Sequence, residues 1–385
     1  MLKIGVTRER AQGEKRVALT PECVKLLSEK GFAFLVESGA GTSAGFSDKE
    51  FEDAGAALHP QAAVIAESDV LLRVMGPTDQ DLDDPAFSLG RGKALISFLF
   101  PTTNPKAAGK LADRGISTFA MDLIPRITRA QSMDALSSMS TIAGYKGALL
   151  AANHLPKFFP MLMTAAGTIP PARAFIIGAG VAGLQAIATC KRLGAIVEAF
   201  DVRPAVKEQV ESLGGRFVAL DLPKEDTEDT GGYAKEVSED THKRELELIG
   251  TRMAKADIVI TTALIPGRPA PKLITREMVD RMAKGSVIVD LAATNGGNCE
   301  ATVPGKDVDA NGVTVLGPLS LLSDMAGDAS RMYSKNIMEF LLNLAPEGEL
   351  KLDLEDQIIN ETLVTRDGQV HHEPTRLIAG SEVQK

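Results

Sequence analysis

The chain has 385 residues, 44% of them hydrophobic and 24% charged, with a formal net charge of −9. That length suits about two domains at the usual ~150 residues each, and the acidic balance argues against wholesale nucleic-acid binding. No apolar run reaches the roughly 18 residues that a membrane-spanning helix needs. The opening MLKIGVTRERAQGEKRVAL meets charge directly after KIGV, which is not the build of a secretion signal. Cys23, Cys190 and Cys299 lie far apart without metal-ligand spacing, a sparse count that fits a reducing cytoplasm. The pair His371-His372 sits in a polar tail and reads as surface residues, so no metal is expected.

In chain order, KIGV (3–6) precedes a helix that Thr20 is placed to cap. FAFLVESG (32–39), a helix near 47–55, VLLRV (70–74), ALISFLF (94–100), a helix near 105–114 and STFAMDLI (117–124) follow. Strands alternating with helices predict βαβ units and a mainly parallel sheet over about 1–135. A loosely amphipathic stretch from Met133 to about Leu155 reads as a connecting helix. Residues 160–175, with Pro170-Pro171, suggest a short hairpin or arm.

A second series then opens: AFIIG (174–178), AIVEAFD (195–201), RFVALDL (216–222), DIVITTALI (257–265), SVIVDLA (286–292) and VTVLG (313–317). Six such runs match a full dinucleotide-binding fold. The expected fold is therefore α/β, two Rossmann-like domains with mainly parallel doubly wound sheets, joined by long helices around a cleft. Residues 1–135 with 325–385 form one domain and 136–324 the other. The polar stretch 222–244 is either a mobile loop or a solvated linker. After Pro318 the chain reads as helical with a break near Gly327, leading into a tail with short strand-like pieces.

The most informative segment is AFIIGAGVAGLQAIATCKRLGAIVEAFDVR. Gly178 permits a tight turn, Gly180 lets backbone approach a pyrophosphate, and Gly183 allows close helix–strand packing. Val181 and Ala182 open the helix, whose free N–H groups and dipole favour phosphate. Asp201 closes the second strand, followed by Val202 and Arg203. Its carboxylate suits the adenine-ribose hydroxyls and repels a 2′-phosphate, so the expected cofactor is NAD(H) rather than NADP(H). Loops after the fourth and fifth runs line the crevice of such sheets. Ala263, Leu264 and Pro266 are candidates for apolar contact with the cofactor there. Asn295, Gly296 and Gly297 suit close backbone approach or plain turn chemistry.

Assembled, TRERAQGEKRVALTPE, PRITRAQSMDALSSMSTIAGYKG (125–147), MTAAGTIPPAR, GAGVAGLQAIATCKRLGA, TGGYAKE, TTALIPGRPAP and DLAATNGGNCE resemble one known family over nearly the whole chain. It is the NAD(H)-binding domain I (alpha-1 subunit) of the proton-translocating, Re/Si-specific nicotinamide nucleotide transhydrogenases. The fold is shared with alanine dehydrogenase. That resemblance implies direct hydride transfer between NAD(H) here and NADP(H) on a partner domain, coupled to proton movement by a separate membrane domain. It implies activity only with those partners, a homodimer built on the 160–173 arm, and a cytoplasmic, peripheral location on the inner membrane. The chain stops at Lys385 without spanning helices, as a separate subunit or a fragment would. The site residues carried over are Arg126, Gln131 and Asp134, with Ser137 one turn beyond; Gly232 and Tyr233 belong to the loop that folds over bound nucleotide. Read alone, Arg126 and Asp134 also fit a surface salt bridge at a helix start.

Two other readings are weighed. Alanine dehydrogenases carry a Lys, a His and an Asp where this chain has Met75, Phe100 and Thr294, while Arg16 matches their pyruvate-binding Arg. Met, Phe and Thr cannot act as acid or base at neutral pH, so amino-acid dehydrogenation is disfavoured. A non-catalytic NAD sensor would not need Arg126, Gln131 and Asp134.

Overall fold

The computed structural model describes residues 1–84, 87–220, 239–264 and 269–382. They divide into two compact units, Met1–Met139 with Leu322–Lys385, and Ser140–Leu321. Both are Rossmann-like α/β units, each built on a mainly parallel sheet. Among the described residues no helix is long and apolar enough to cross a membrane.

The sheet of the first unit runs, from edge to edge, through Gln369–Val370, Leu363–Arg366, Ser117–Ala120, Ala94–Phe98, Val70–Met75, Lys3–Val6, Ala33–Glu37 and Ala57–His59. The six strands up to residue 120 pair in parallel, and the two C-terminal ones add antiparallel at one edge. VLLRV and ALISF are buried throughout, the pattern of strands covered on both faces. Helix Ala326–Leu344 packs its aromatic side chains on this sheet, Tyr333 against Phe98 at 5.1 Å and Phe340 against Phe119 at 5.8 Å between ring centroids.

Several boundaries differ from expectation for local reasons. The strand at 94–100 ends at Phe98 because Phe100 is left-handed, with φ 45°. Its carbonyl accepts from the Thr103 and Asn104 amides, which turns the chain. STFAMDLI leaves the sheet at Ala120; Met121–Leu123 is a 3₁₀ turn whose Asp122 carboxylate accepts from the N–H of Leu99 (2.7 Å) and Phe100 (3.0 Å). Thr20 stands at the cap of Pro21–Ser28 without capping it, since its hydroxyl donates to Ser334 Oγ at 3.2 Å. Gly327 does not break a helix. It lies in the first turn of the continuous helix Ala326–Leu344, where a Cβ would sit 3.3 Å from the Ala44 carbonyl. Residues 319–325 before it are irregular and 3₁₀ instead of α-helical. The strands Ala57–His59 and Asp307–Ala310 fall outside the expected runs; both are short edge strands, and DVDA alternates but buries none of its residues fully.

The second unit has the strand order Arg216–Phe217, Ile196–Phe200, Arg173–Ile177, Ile258–Thr261, Val287–Asp290, Val313–Leu316, Asp307–Ala310. All pairs are parallel except the last. Alternate residues feed two cores, as the pleat requires. Ile176, Val197, Ile258 and Val289 face one core with Ala186, Ile187 and Cys190 of helix Val181–Arg192. Phe175, Phe200, Val259 and Ile288 face the other with Ile249 and Met253 of helix Glu239–Met253. Among the described residues the third run is a strand only at Arg216–Phe217. Residues 162–169 form the hairpin, Leu162–Thr164 against Gly167–Ile169, with Met163 82% exposed.

Candidate functional site

In the second unit the strand order reverses between Arg173–Ile177 and Ile258–Thr261, the place where such sheets open a crevice at their carboxyl ends. The glycine turn sits there. Gly178 has φ 93°, a conformation side chains resist, and its N–H donates to the Phe200 carbonyl at 2.8 Å. A Cβ on Gly183 would stand 1.9 Å from the Gly178 carbonyl oxygen, so helix and strand meet there through glycine alone. On Gly180 the nearest atom to a Cβ is Arg203 Nη2, 4.0 Å away. One glycine is thus packed shut, while the other leaves a cradle of open backbone at the start of helix Val181–Arg192. The first N–H groups of a helix lack intrahelical acceptors, and the dipole there is positive, so this cradle fits a pyrophosphate. Val181 is exposed and Ala182 half-buried at the same turn.

Asp201 lies at the end of the neighbouring strand, only 8% exposed. Its Oδ2 accepts from the Ala179 N–H at 2.7 Å and from Arg203 Nη2 at 2.7 Å. Its Oδ1 accepts from the Arg203 N–H at 2.9 Å and Nε at 2.8 Å. The carboxylate is therefore aimed by its own loop. Four donors occupy about all the lone pairs a carboxylate offers, so a ribose diol docking on Asp201 competes with the Arg203 fork. Val202 packs against the core behind it. A second buried acid, Glu245, is hydrogen-bonded through Oε2 to His242 Nδ1 at 3.0 Å. Burial pushes its pKa up, and the negative charge of Asp201 adds to that rise. Sequence reasoning passes over Glu245 because nothing in its helix marks it.

The loops at the carboxyl ends of the next two strands are tied together by polar side chains. Asn298, fully buried, accepts from the Ala263 N–H at 3.1 Å and donates to the Ala263 carbonyl at 2.8 Å and the Pro271 carbonyl at 2.9 Å. Ala263 is half-buried and Leu264 is 42% exposed beside it. Asp290 accepts from the hydroxyls of Thr261 and Thr302 and from the amides of Ala292 and Cys299. A Cβ on Gly297 would sit 2.6 Å from Asp290 Oδ2, and both Gly296 and Gly297 have positive φ. Turn chemistry accounts for these two glycines, with Asn295 exposed at the tip.

Helix Ala135–His154 crosses the cradle on a small residue, for a Cβ on Gly144 would lie 2.0 Å from the Ala182 carbonyl. Gly147, one turn on, abuts Leu291. Gly144 and Gly147 at helical spacing are the sequence signal for this close approach. At the start of the same helix, Asp134 accepts from the Ser137 N–H at 2.9 Å and hydroxyl at 2.6 Å, an N-cap bond doubled by the side chain. Asp134 and Ser137 are thus brought together. Arg126 and Gln131 are exposed on the preceding segment, with Ala130 and Met133 buried beneath. In the first unit Met75 ends its strand and Phe100 lies in the turn two residues past the strand end at Phe98, and the Arg16 fork is taken by Glu14, Nε to Oε1 at 2.8 Å and Nη2 to Oε2 at 2.5 Å. Gly232, Tyr233 and Pro266 lie outside the described residues.

Two domain families cover almost all of this: the alanine dehydrogenase/PNT N-terminal domain over residues 5–143 and the alanine dehydrogenase/PNT C-terminal domain over 147–373. The chain belongs to the alanine dehydrogenase/PNT family. Within it, the chain is 47% identical over 376 residues to the first part of the NAD(P) transhydrogenase alpha subunit of Rhodospirillum rubrum, covering 96% of this chain and 98% of that one. It is 43% identical to the solved transhydrogenase of Sinorhizobium meliloti, with a TM-score of 0.86 over 96% of this chain and 99% of the other. The likeness to alanine dehydrogenase 2 of Staphylococcus aureus is lower, 31% over 304 residues, covering 78% of this chain and 74% of that one. The family thus supplies both readings raised by the sequence, and the side chains at the site have to separate them.

Proposed function

We propose that this chain is the NAD(H)-binding component of a proton-translocating transhydrogenase and works by direct hydride transfer to or from NADP(H) on a partner domain. The observation that supports this most is the 47% identity to a transhydrogenase alpha-subunit chain along 98% of its length. It is joined by Met75, Phe100 and Thr294 at the positions where an amino-acid dehydrogenase needs Lys, His and Asp.

Bound NADH supplies a hydride from its dihydronicotinamide ring. The chain's own residues have to bind, orient and shield that ring, because no proton moves in the step and no acid is required. Gly178, Gly180, Val181, Ala182 and Gly183 hold the pyrophosphate, and Asp201, Val202 and Arg203 hold the adenosine ribose. Ala263 and Leu264 give the flat apolar contact. Arg126 and Gln131 donate to the carboxamide and ribose side of the ring, and Asp134 with Ser137 fixes the end of their segment. Gly232 and Tyr233 fold over the nucleotide and exclude water. In this reading residues 1–135 with 325–385 and residues 136–324 are the two functional subdomains, the 162–169 hairpin is exchanged in a homodimer, and membrane and NADP(H)-binding partners hold the assembly at the cytoplasmic face of the inner membrane.

The test is hydride transfer from NADPH, held on a separately purified transhydrogenase NADP(H)-binding domain, to an NAD analogue, with and without this chain. Exchange that requires the chain and drops at least about 100-fold in Gln131→Ala, some 3 kcal/mol of barrier, is the expected result. No exchange despite confirmed NADH binding overturns it. The second reading, alanine-type dehydrogenation, is favoured by the family likeness and Arg16; turnover with pyruvate, ammonia and NADH would establish it instead.

A further inference from the structure

The segment Thr128–Met133, which carries Gln131, is nailed down from behind by residues far along the chain. Arg129 donates through Nη1 to Asp356 Oδ2 at 3.1 Å and through Nη2 to Asp356 Oδ1. The same Nη1 donates to Asn343 Oδ1 at 3.1 Å, while Asn343 Nδ2 donates to Asp356 Oδ2 at 3.1 Å. Asp356 Oδ1 also accepts from the Ile358 N–H at 2.9 Å and so caps helix Gln357–Thr362. A second strut stands three residues on: Asn336 donates to the Ser132 carbonyl at 2.7 Å from helix Ala326–Leu344. All of these residues belong to the first unit.

The two struts flank Gln131, one on each side, and the Ala130 and Met133 side chains beside them are buried. A 3₁₀ segment has poor hydrogen-bond geometry of its own and holds its shape only with outside support. The planar guanidinium supplies that support with directional, paired bonds that a lysine cannot copy. We infer that Asp356, acting through Arg129 and Asn343, is a positioning residue for hydride transfer: it sets the conformation in which Gln131 and Asp134 are presented. This rests on the transhydrogenase reading. Arg129 is 54% exposed and Asp356 16%, so the clamp adds little to global stability, and its removal acts on the segment rather than on the fold.

The experiment compares the full-length chain with Asp356→Ala, Asp356→Asn and Arg129→Lys. Three quantities are measured for each: NADH affinity, hydride transfer at saturating NADH with the separate NADP(H)-binding domain, and amide-exchange protection of residues 130–134. The expected result is a transfer rate down at least about tenfold in Asp356→Ala and Arg129→Lys, NADH affinity within about twofold of the parent, and faster exchange confined to 130–134. Asp356→Asn, which keeps a carbonyl oxygen for the Ile358 cap, recovers part of the rate. A folded Arg129→Lys that transfers hydride at the parent rate overturns the proposal, as does a rate loss matched by an equal loss of affinity. A parent chain that transfers no hydride sinks the transhydrogenase reading, and the positioning role with it; unchanged exchange protection sinks the positioning role alone.

Discussion

In each unit the loop after the first strand donates a backbone N–H to an acid at the end of the second. Arg8 N–H meets Glu37 Oε2 at 2.9 Å in the first unit, and Ala179 N–H meets Asp201 Oδ2 at 2.7 Å in the second. The order of the central strands is the same in both sheets. What differs is the loop. In the second unit it is the bare glycine turn 178–180, which leaves backbone at the crevice. In the first it is the long segment 7–20, which sends side chains inward. Glu9, almost wholly buried, accepts from the Val74 N–H at 2.7 Å and the Met75 N–H at 3.2 Å, and so plugs the carboxyl end of the fourth strand. Burial pushes its pKa up even with Arg73 nearby. The topology places the same switch point in both sheets; loop length and glycine decide which one keeps open backbone and which is filled by side chains.

The strongest way to break this contrast is Gly183→Val. The added side chain has no room against the Gly178 carbonyl, so NADH affinity is expected to fall more than about 100-fold, about 3 kcal/mol, measured by nicotinamide fluorescence. Retained binding would mean that the cradle is not where NADH sits. Asp201→Ala should lose about tenfold in NADH affinity while the ratio of NADPH to NADH affinity rises, because Arg203 is released and the charge that repels a 2′-phosphate is gone. The matching change in the first unit, Glu37→Gln, should leave NADH affinity unaltered and cost only about 1 kcal/mol of stability, for the lost charge on the Arg8 and Gln61 hydrogen bonds.

A pH titration probes the first unit alone. The Arg129 fork holds the Asp356 carboxyl down at about 2, below its unfolded value of ~3.9. A lowered carboxyl pKa stabilises the folded state above the unfolded pKa and loses that contribution as pH falls toward the folded value. The small stability difference between the parent and Asp356→Asn should therefore persist at about pH 5 and shrink toward about pH 2. A difference that grows in acid would show another group at work. The smallest effect expected is on thiols. Cys23, Cys190 and Cys299 are buried with raised pKa values, Cys190 pushed up to about 12. Alkylation at about pH 8 should leave all three unmodified in the native protein. In rising urea, Cys23 then reports opening of the first unit, and Cys190 and Cys299 that of the second.

Much of this is legible in the residues. Apolar runs such as VLLRV, AFIIG and SVIVD announce buried parallel strands, and GAGVAG followed by Asp201 announces the cradle and its acid. Both are short-range signals: a few neighbours and their order suffice. What stays hidden depends on partners far apart in sequence. The Asn298 amide that holds Ala263, the Asp122 carboxylate that holds left-handed Phe100, and Gly327 packed beneath Ala44 each look ordinary until the chain is folded. The Arg203 fork on Asp201 is only two residues away and still undecided by sequence, because Arg203 has other geometries open to it.

The sequence by itself determined the two sheets and the glycine cradle, since strand burial and backbone freedom are properties of residues and their immediate neighbours. Only the tertiary structure decided that the acid is already engaged by Arg203, that the first crevice is plugged by Glu9, and that the Gln131 segment is held by Asp356, 227 residues beyond Arg129. Those are pairings of polar groups that any of several partners would satisfy, and packing alone selects which one comes within hydrogen-bond reach.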